Sequence, residues 1–353
     1  MQLKLVASSR AARTVDPVAH RLVLEGRHFW FLRSEADLGR AEAACAKALA
    51  LAPDFAEAHA GLAGVLLVRH HNRLVDGFAP EAAELQRARE EAARAIALDA
   101  GYPDSYAIQG FASLLEGRFA ESGAQYQQAL RLNPNSAVGH HWHGLLLSAR
   151  GQLAAASAAY ARAAELDPLA FIVVQMRAYA LQEEGRFAES LAEHERAAEL
   201  RGESFIPNLA LRTVCLQRLG RSGEAVTLAR AMRQRPAERP RWGADFYAID
   251  ALRRAGHADE AAAYGAEVMA SLPANSFLRG YLLAALGRID EAWPFLEGIP
   301  IVSRRTLFFN PFWDEHRDNP RFQQLLVKLG WAEDYKVARE TLARTVKERA
   351  ARK

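Results

Sequence analysis

The sequence predicts an all-α solenoid of stacked helix–turn–helix units, and three observations carry that expectation. Residues 103–168 hold two copies of one unit, the first closing QYQQALRLNP at Gln125–Pro134 and the second AYARAAELDP at Ala159–Pro168. Gly117 recurs as Gly151 and Gly185, and the same 34-residue step relates Tyr126, Tyr160 and His194, and also Ala129, Ala163 and Ala197. No strand-like run bounded by turn residues stands out, while half the residues are apolar and alanine is abundant, as close-packed helices require. A fixed period of this length marks a unit that buries its apolar face only against the next copy.

Each recurring position has a physical reason. Gly110, Gly144 and Ala178 stand where the second helix of a unit crosses the first and only a small residue fits. Gly117, Gly151 and Gly185 supply the positive φ of the turn. Phe119, Leu153 and Phe187, two residues later, are expected to cap the helix pair, and Ser122, Ala156 and Ser190 to allow close approach. Tyr126 and Tyr160 fill the space between helices. Pro134 and Pro168 end the second helix, since proline lacks the N–H and clashes with the preceding turn. Asn135 and Ser136 offer caps to the helix that follows.

Taken in order, a first unit runs from about Asp16 to Pro53, lengthened by the loop Arg33–Leu38. A second begins at Ala56 and carries a long loop insertion, Arg69–Pro80, containing HHNRLVDGFAP; its second helix lies around Glu84–Leu98. Units three to five, Pro103–Gly202, are regular. The sixth (Glu203–Arg235), seventh (Arg241–Pro273) and short eighth (Ala274–Gly298) keep Gly220, Gly256 and Gly287 at the turn. Residues from Ile299 onward are not repetitive, are rich in aromatics around NPFWDEH, and end in a basic helix from about Glu333.

The small residue at the eighth and twentieth positions with proline at the thirty-second resembles the tetratricopeptide repeat, most closely over Pro103–Gly202. That resemblance implies a right-handed α-solenoid of about eight units over residues 16–298. A C-terminal cap and basic helix follow at 299–353, and 1–15 reads as a linker or the remnant of an upstream segment. A longer series, RLVLEGRHFW at Arg21–Trp30, FAEAHAGLAG at Phe55–Gly64, GHHWHGLLLSARGQ at Gly139–Gln152 and PFWDEHRDNPRFQQLL at Pro311–Leu326, is similar to the C-terminal repeat region of bacterial signalling proteins. Those proteins carry a winged-helix, class III nucleotidyl cyclase or kinase domain in front. The likeness implies a regulatory module that works with an effector protein carrying such a domain.

Composition narrows the function. The formal charge of +3 does not by itself point to nucleic acid. Only Cys45 and Cys215 are present, both at positions expected to be buried, which fits a reducing, cytoplasmic setting. Neither a signal-like apolar core at the start nor an apolar run long enough to span a membrane is seen. There is no phosphate loop, dinucleotide fingerprint, HExxH, paired CxxC or nucleophile elbow. No catalytic residue and no cofactor is therefore expected. Glu183–Glu184 reads as a solvated helix end. His140, His141 and His143 read as packing residues rather than metal ligands, and no metal site is assigned.

The informative surface is the concave groove. Positions two, five, nine and twelve of the first helices give Asp104, Ala107, Phe111 and Leu114, then Val138, His141, Leu145 and Ser148, then Ile172, Gln175, Tyr179 and Gln182. The binding groove is assigned to Asp104, Ala107, Phe111, Leu114, His141, Leu145, Gln175, Tyr179 and Gln182. The Lys–Asn pair with which chaperone-binding relatives grip a C-terminal carboxylate is lacking at these positions. An apolar, aromatic-studded groove suits an amphipathic helix or extended peptide. The expectation is a non-catalytic protein-interaction scaffold in bacterial signalling or transcriptional control. The alternative is a sensor that takes a small ligand or signalling peptide in the groove, and a weaker third reading is an enzyme accessory subunit.

Overall fold

The computed structural model describes residues 16–202, 205–235, 241 and 243–350, and among them it contains helices and short 3-10 turns but no strand. Eight antiparallel pairs succeed one another: α1 (Pro17–Leu32) with α2 (Glu35–Leu51), α3 (Ala56–Val75) with α4 (Ala82–Leu98), and α5 (Pro103–Leu115) with α6 (Phe119–Leu132). Then come α7 (Ala137–Ala149) with α8 (Leu153–Leu166), α9 (Phe171–Glu183) with α10 (Phe187–Arg201), and α11 (Ile206–Arg218) with α12 (Ser222–Arg233). The last are α13 (Ala244–Arg254) with α14 (Ala258–Ser271) and α15 (Leu278–Ala285) with α16 (Ile289–Leu296). Each first helix packs on its own second helix and on the neighbouring first helices, which builds the right-handed solenoid. Three further helices follow, α17 (Arg304–Phe309), α18 (Pro320–Lys328) and α19 (Ala332–Ala350).

The turn works as the spacing predicts. Gly117 takes φ +74°, which lets the Arg118 N–H reach the Ser113 carbonyl at 2.8 Å, and the device recurs at Gly151 and Gly185. Ser136 caps α7 by accepting from the Gly139 N–H at 3.0 Å, whereas Asn135 does not cap and instead accepts from Arg162. A Cβ at Gly110 would stand 2.7 Å from the Tyr126 ring, and one at Gly144 2.6 Å from the Tyr160 ring. The next unit has a different solution in the same register. Ala178 replaces the glycine, and the smaller His194 ring, fully buried, replaces the tyrosine and leaves room for the methyl group.

Several expectations change. The loop expected at Arg33–Leu38 shrinks to Arg33 and Ser34, since Ser34 caps α2 and the helix starts at Glu35. The segment Arg69–Pro80 is not a loop through most of its length: α3 continues to Val75, because HHNRLV contains no breaker before Gly77 and burying His70 and Asn72 rewards two extra turns. Phe119 and Phe187 are only half-buried, and Phe119 lies beneath the Arg304 guanidinium, 5.7 Å from ring centroid to cation. Leu153 is the buried member of that register. Glu183 and Glu184 are not solvated. Both are buried, Glu183 against a cation from a distant part of the chain.

The superhelix returns on itself. Arg201, closing the fifth unit, donates from Nε to the Leu32 carbonyl at 2.9 Å and reaches Asp37 of the first unit. At the end of α3 the Asp76 carboxylate accepts from the Arg241 backbone N–H at 3.0 Å. A Cβ on neighbouring Gly77 would stand 2.2 Å from Ser276 Oγ. The first two units thus touch the fifth, seventh and eighth, and the concave face becomes an interior.

The C-terminal segment then enters that interior rather than only covering the last unit. Ile301 meets the Gly117 turn, Arg304 sits over the rings of Phe308 and Trp331, and α19 packs on α8, where Ala338 closes on Gly151. Phe246, Tyr281, Phe312 and Trp313 join the seventh and eighth units to this segment in one aromatic cluster.

Two measurements test this packing. Gly110→Ala forces the Tyr126 ring aside and should cost about 1–3 kcal/mol in denaturant unfolding. Gly39→Ala, where a Cβ meets nothing within 4 Å, should be neutral or slightly stabilising. Burial first, and then the Arg212 charge, lower His194 to about 3. In the unfolded chain the same ring titrates near 6.5. Stability from this group is therefore complete above about pH 6.5 and falls as pH drops toward 3, by up to about 1.4 kcal/mol per pH unit. The acid slope of the melting temperature should flatten in His194→Gln; an unchanged slope would mean the imidazole is not held neutral.

Candidate functional site

At the centre of the closed superhelix lies a partly open cavity of about 170 Å³. First helices of several units contribute to it, and the residues around Val302–Thr306 of the returning segment form another side. Of the groove residues read from the sequence, Phe111, His141, Leu145, Gln175 and Tyr179 line this cavity. Ala107 and Leu114 are buried in the core beside it, and Gln182 is buried with its amide oxygen 3.5 Å from Cys215 Sγ. Asp104 lies elsewhere, half-buried near Arg27 and Tyr102. Burial raises its carboxyl pKa against the lowering effect of Arg27.

One part of the lining is aromatic. Phe111 stacks on Trp142 with centroids 4.8 Å apart, and Trp142 meets Trp30 edge-on at 5.5 Å. Trp30 is fixed by its own N–H, which donates to the Gly64 carbonyl at 3.1 Å. His71, from the lengthened end of α3, lies 5.7 Å from Phe111. Phe246, Tyr247, Phe277 and Tyr281 add aromatic surface from the seventh and eighth units.

The polar groups are few and differ in their state of pairing. Arg305 enters from α17 and grips Glu183 at two points, Nε to Oε1 at 3.0 Å and Nη2 to Oε2 at 2.8 Å, while its Nη1 donates to the Tyr160 hydroxyl at 3.1 Å. Its plane stacks on Tyr179 at 4.2 Å. Burial alone would lower the Arg305 pKa, but the Glu183 carboxylate more than reverses this and raises it. Asn310 donates to the Tyr247 hydroxyl at 2.7 Å, tying the same segment to the seventh unit.

Arg33 is the other cation at the cavity. It ends α1 at φ +67°, the one positive-φ residue other than glycine among the described residues. Its guanidinium is buried, stacks on Trp30 at 4.6 Å, and has no hydrogen-bond partner for Nε or Nη2 among the described residues. Burial lowers it to about 9, so it remains cationic at neutral pH. Burial also lowers His71 to about 4, with the Arg33 charge second, and holds His141 well below its ordinary value. Both imidazoles are neutral. Gln175 accepts from Asn208 at 2.8 Å through Oε1, and its buried Nε2 has no partner among the described residues.

The periodicity could find the residues contributed by regular first helices but not Arg33 or Arg305. Arg33 lies in the extra length of the first unit and Arg305 in the non-repetitive segment, where no register assigns a direction. The only signal for Arg33 was that the first unit exceeds the standard length. Among the described residues no cluster of three or more metal-ligating side chains occurs, and no helix is long and apolar enough to cross a membrane. Cys45 and Cys215 are both buried free thiols.

Removing one member of the Arg305–Glu183 pair should leave an uncompensated buried charge. Glu183→Ala is expected to lose about 3–5 kcal/mol in denaturant unfolding. The double variant Glu183→Leu/Arg305→Met should recover much of that loss; if it does not, the pair is not what joins the segment to the solenoid.

No family model and no curated protein matches this chain. Solved structures do resemble it. One is a tetratricopeptide repeat protein from Parabacteroides merdae ATCC 43184, at TM-score 0.46 and 14% identity, covering 77% of this chain and 100% of that one. Another is PilF of Pseudomonas aeruginosa, at TM-score 0.43 and 18% identity, covering 62% of this chain and 91% of the other. A third is a thermophilic tetratricopeptide repeat protein of Thermus thermophilus, at TM-score 0.43 and 21% identity, covering 57% and 98%.

Proposed function

We propose that this chain is a non-catalytic regulatory module of bacterial signalling that senses a small ligand inside its closed concave channel and reports its occupancy to a protein partner. The observation that supports this reading is the aromatic-lined cavity itself. The space first expected to take an amphipathic helix is shared with residues 301–310, and what remains has the size of a single-ring molecule: a dry cavity of about 150 Å³ accepts benzene. Phe111, His141, Leu145, Gln175 and Tyr179 are the ligand-facing members of the groove set. Ala107, Leu114 and Gln182 support the wall, and Asp104 stands outside it.

The cavity wall continues through α17 into α18 and α19, so a ligand touching Ser303 or Thr306 bears on the position of the C-terminal helices. That continuity gives occupancy a route to the surface. The partner consistent with the sequence resemblance is a cytoplasmic effector protein carrying a DNA-binding or nucleotidyl cyclase domain.

The test is a melting-temperature screen of the full chain against neutral and acidic one-ring compounds. A ligand at a hundredfold excess over its Kd stabilises by about 2.7 kcal/mol. At least one compound should raise the melting temperature, Leu145→Phe should abolish the shift by filling the cavity, and Arg162→Ala, at an exposed position on α8, should leave it intact. Absence of any shift across the panel would remove the small-ligand reading.

A further inference from the structure

The unpaired edge of Arg33 gives the cavity a chemical preference. Nε and Nη2 form the side-on edge of a guanidinium, the edge that matches the two oxygens of a carboxylate. In Arg33 both atoms are buried without a partner among the described residues, and the Trp30 ring already lies over the guanidinium at 4.6 Å. The same cavity shows what such an edge takes. Arg305 uses the same two atoms to hold Glu183 Oε1 and Oε2 at 3.0 and 2.8 Å.

Arg305 and Glu183 cancel, His71 and His141 are neutral, and Arg33 is left as a single buried positive charge with no carboxylate beside it among the described residues. A buried charge without a counter-charge is costly, and a cation–π contact offsets only part of the cost. A counter-ion arriving with the ligand would offset the rest. One cation asks for a monoanion. The surrounding aromatic surface asks for an apolar body, and the Gln175 Nε2 supplies one further neutral donor.

Resting on the ligand-sensing reading above, we propose that the Nε/Nη2 edge of Arg33 receives the carboxylate of a small free acid whose one-ring apolar body fills the cavity beside Phe111 and Trp142. A short ligand is favoured, because the segment bearing Val302–Thr306 lines the same space and narrows it. The left-handed backbone at Arg33 has a use in this arrangement, since it turns the side chain back from the end of α1 toward the cavity while α2 begins.

Calorimetric titration of the full chain with 3-phenylpropanoate and its uncharged isostere 3-phenylpropanamide tests the assignment. The acid should bind at least about tenfold more tightly than the amide, the discrimination expected of hydrogen bonds to a charged group. In Arg33→Asn, chosen because asparagine tolerates positive φ, that preference should vanish while affinity for the amide is retained. Equal binding of acid and amide by the parent protein would overturn the Arg33 assignment and leave the small-ligand reading standing. Binding of neither would count against both this proposal and, with the full panel silent, the sensing reading itself. Tighter binding of a tetrapeptide ending in phenylalanine than of 3-phenylpropanoate would overturn the free acid in favour of a peptide terminus. The parent's acid-to-amide ratio decides the matter even if the Arg33 variant fails to fold.

Discussion

The buried contact between Arg305 and Glu183 is the constraint on which the interior depends. A cation from beyond the last helix pair is carried across the concave face of the solenoid to a carboxylate at the end of α9. Both partners are almost wholly buried, so neither can be left alone without a large penalty. The pair therefore fixes where residues 301–310 run. With that segment in place the groove is no longer a channel for a helix. It becomes a cavity with one wall drawn from outside the repeats.

Ring closure works on the same interior from the other side. Arg201 to Leu32, and Asp76 to Arg241, join units far apart in sequence through buried or half-buried polar contacts. Such contacts hold only when the curvature of the stack brings the partners to hydrogen-bond distance, and that curvature comes from small angles summed over several units. The Gly–Tyr crossings at 110/126 and 144/160, and the Ala–His substitute at 178/194, set those angles by fixing how closely the two helices of a unit approach.

The cavity holds two arginines in contrasting states. Arg305 spends its charge on structure. Arg33 is as deeply placed, yet its hydrogen-bonding edge has no acceptor among the described residues. Burial without pairing is unfavourable to a folded chain taken by itself, and it is the kind of local cost that binding can recover. The neutral state of His71 and His141, enforced by the same dry surroundings, keeps Arg33 the one uncompensated charge among the described residues of the lining.

The sequence by itself determined the period, the turn glycines, the small residues at the crossings and the prolines that end second helices, because each is a local steric requirement repeated at a fixed interval. From that period it also placed Phe111, His141, Leu145, Gln175 and Tyr179 on one inward face, and the structure brings those five around one cavity. It could not show that Arg69–Val75 extends α3, since a His-rich stretch after the usual turn position looks like a loop until its buried contacts are known. Nor could it place Arg33, Arg305 or the aromatic segment, which lie where the register lapses. Whether a concave face is open or filled depends on the accumulated twist of eight units and on a charge pair 122 residues apart in sequence. Neither is a property of any single repeat, and so only the tertiary structure decided them.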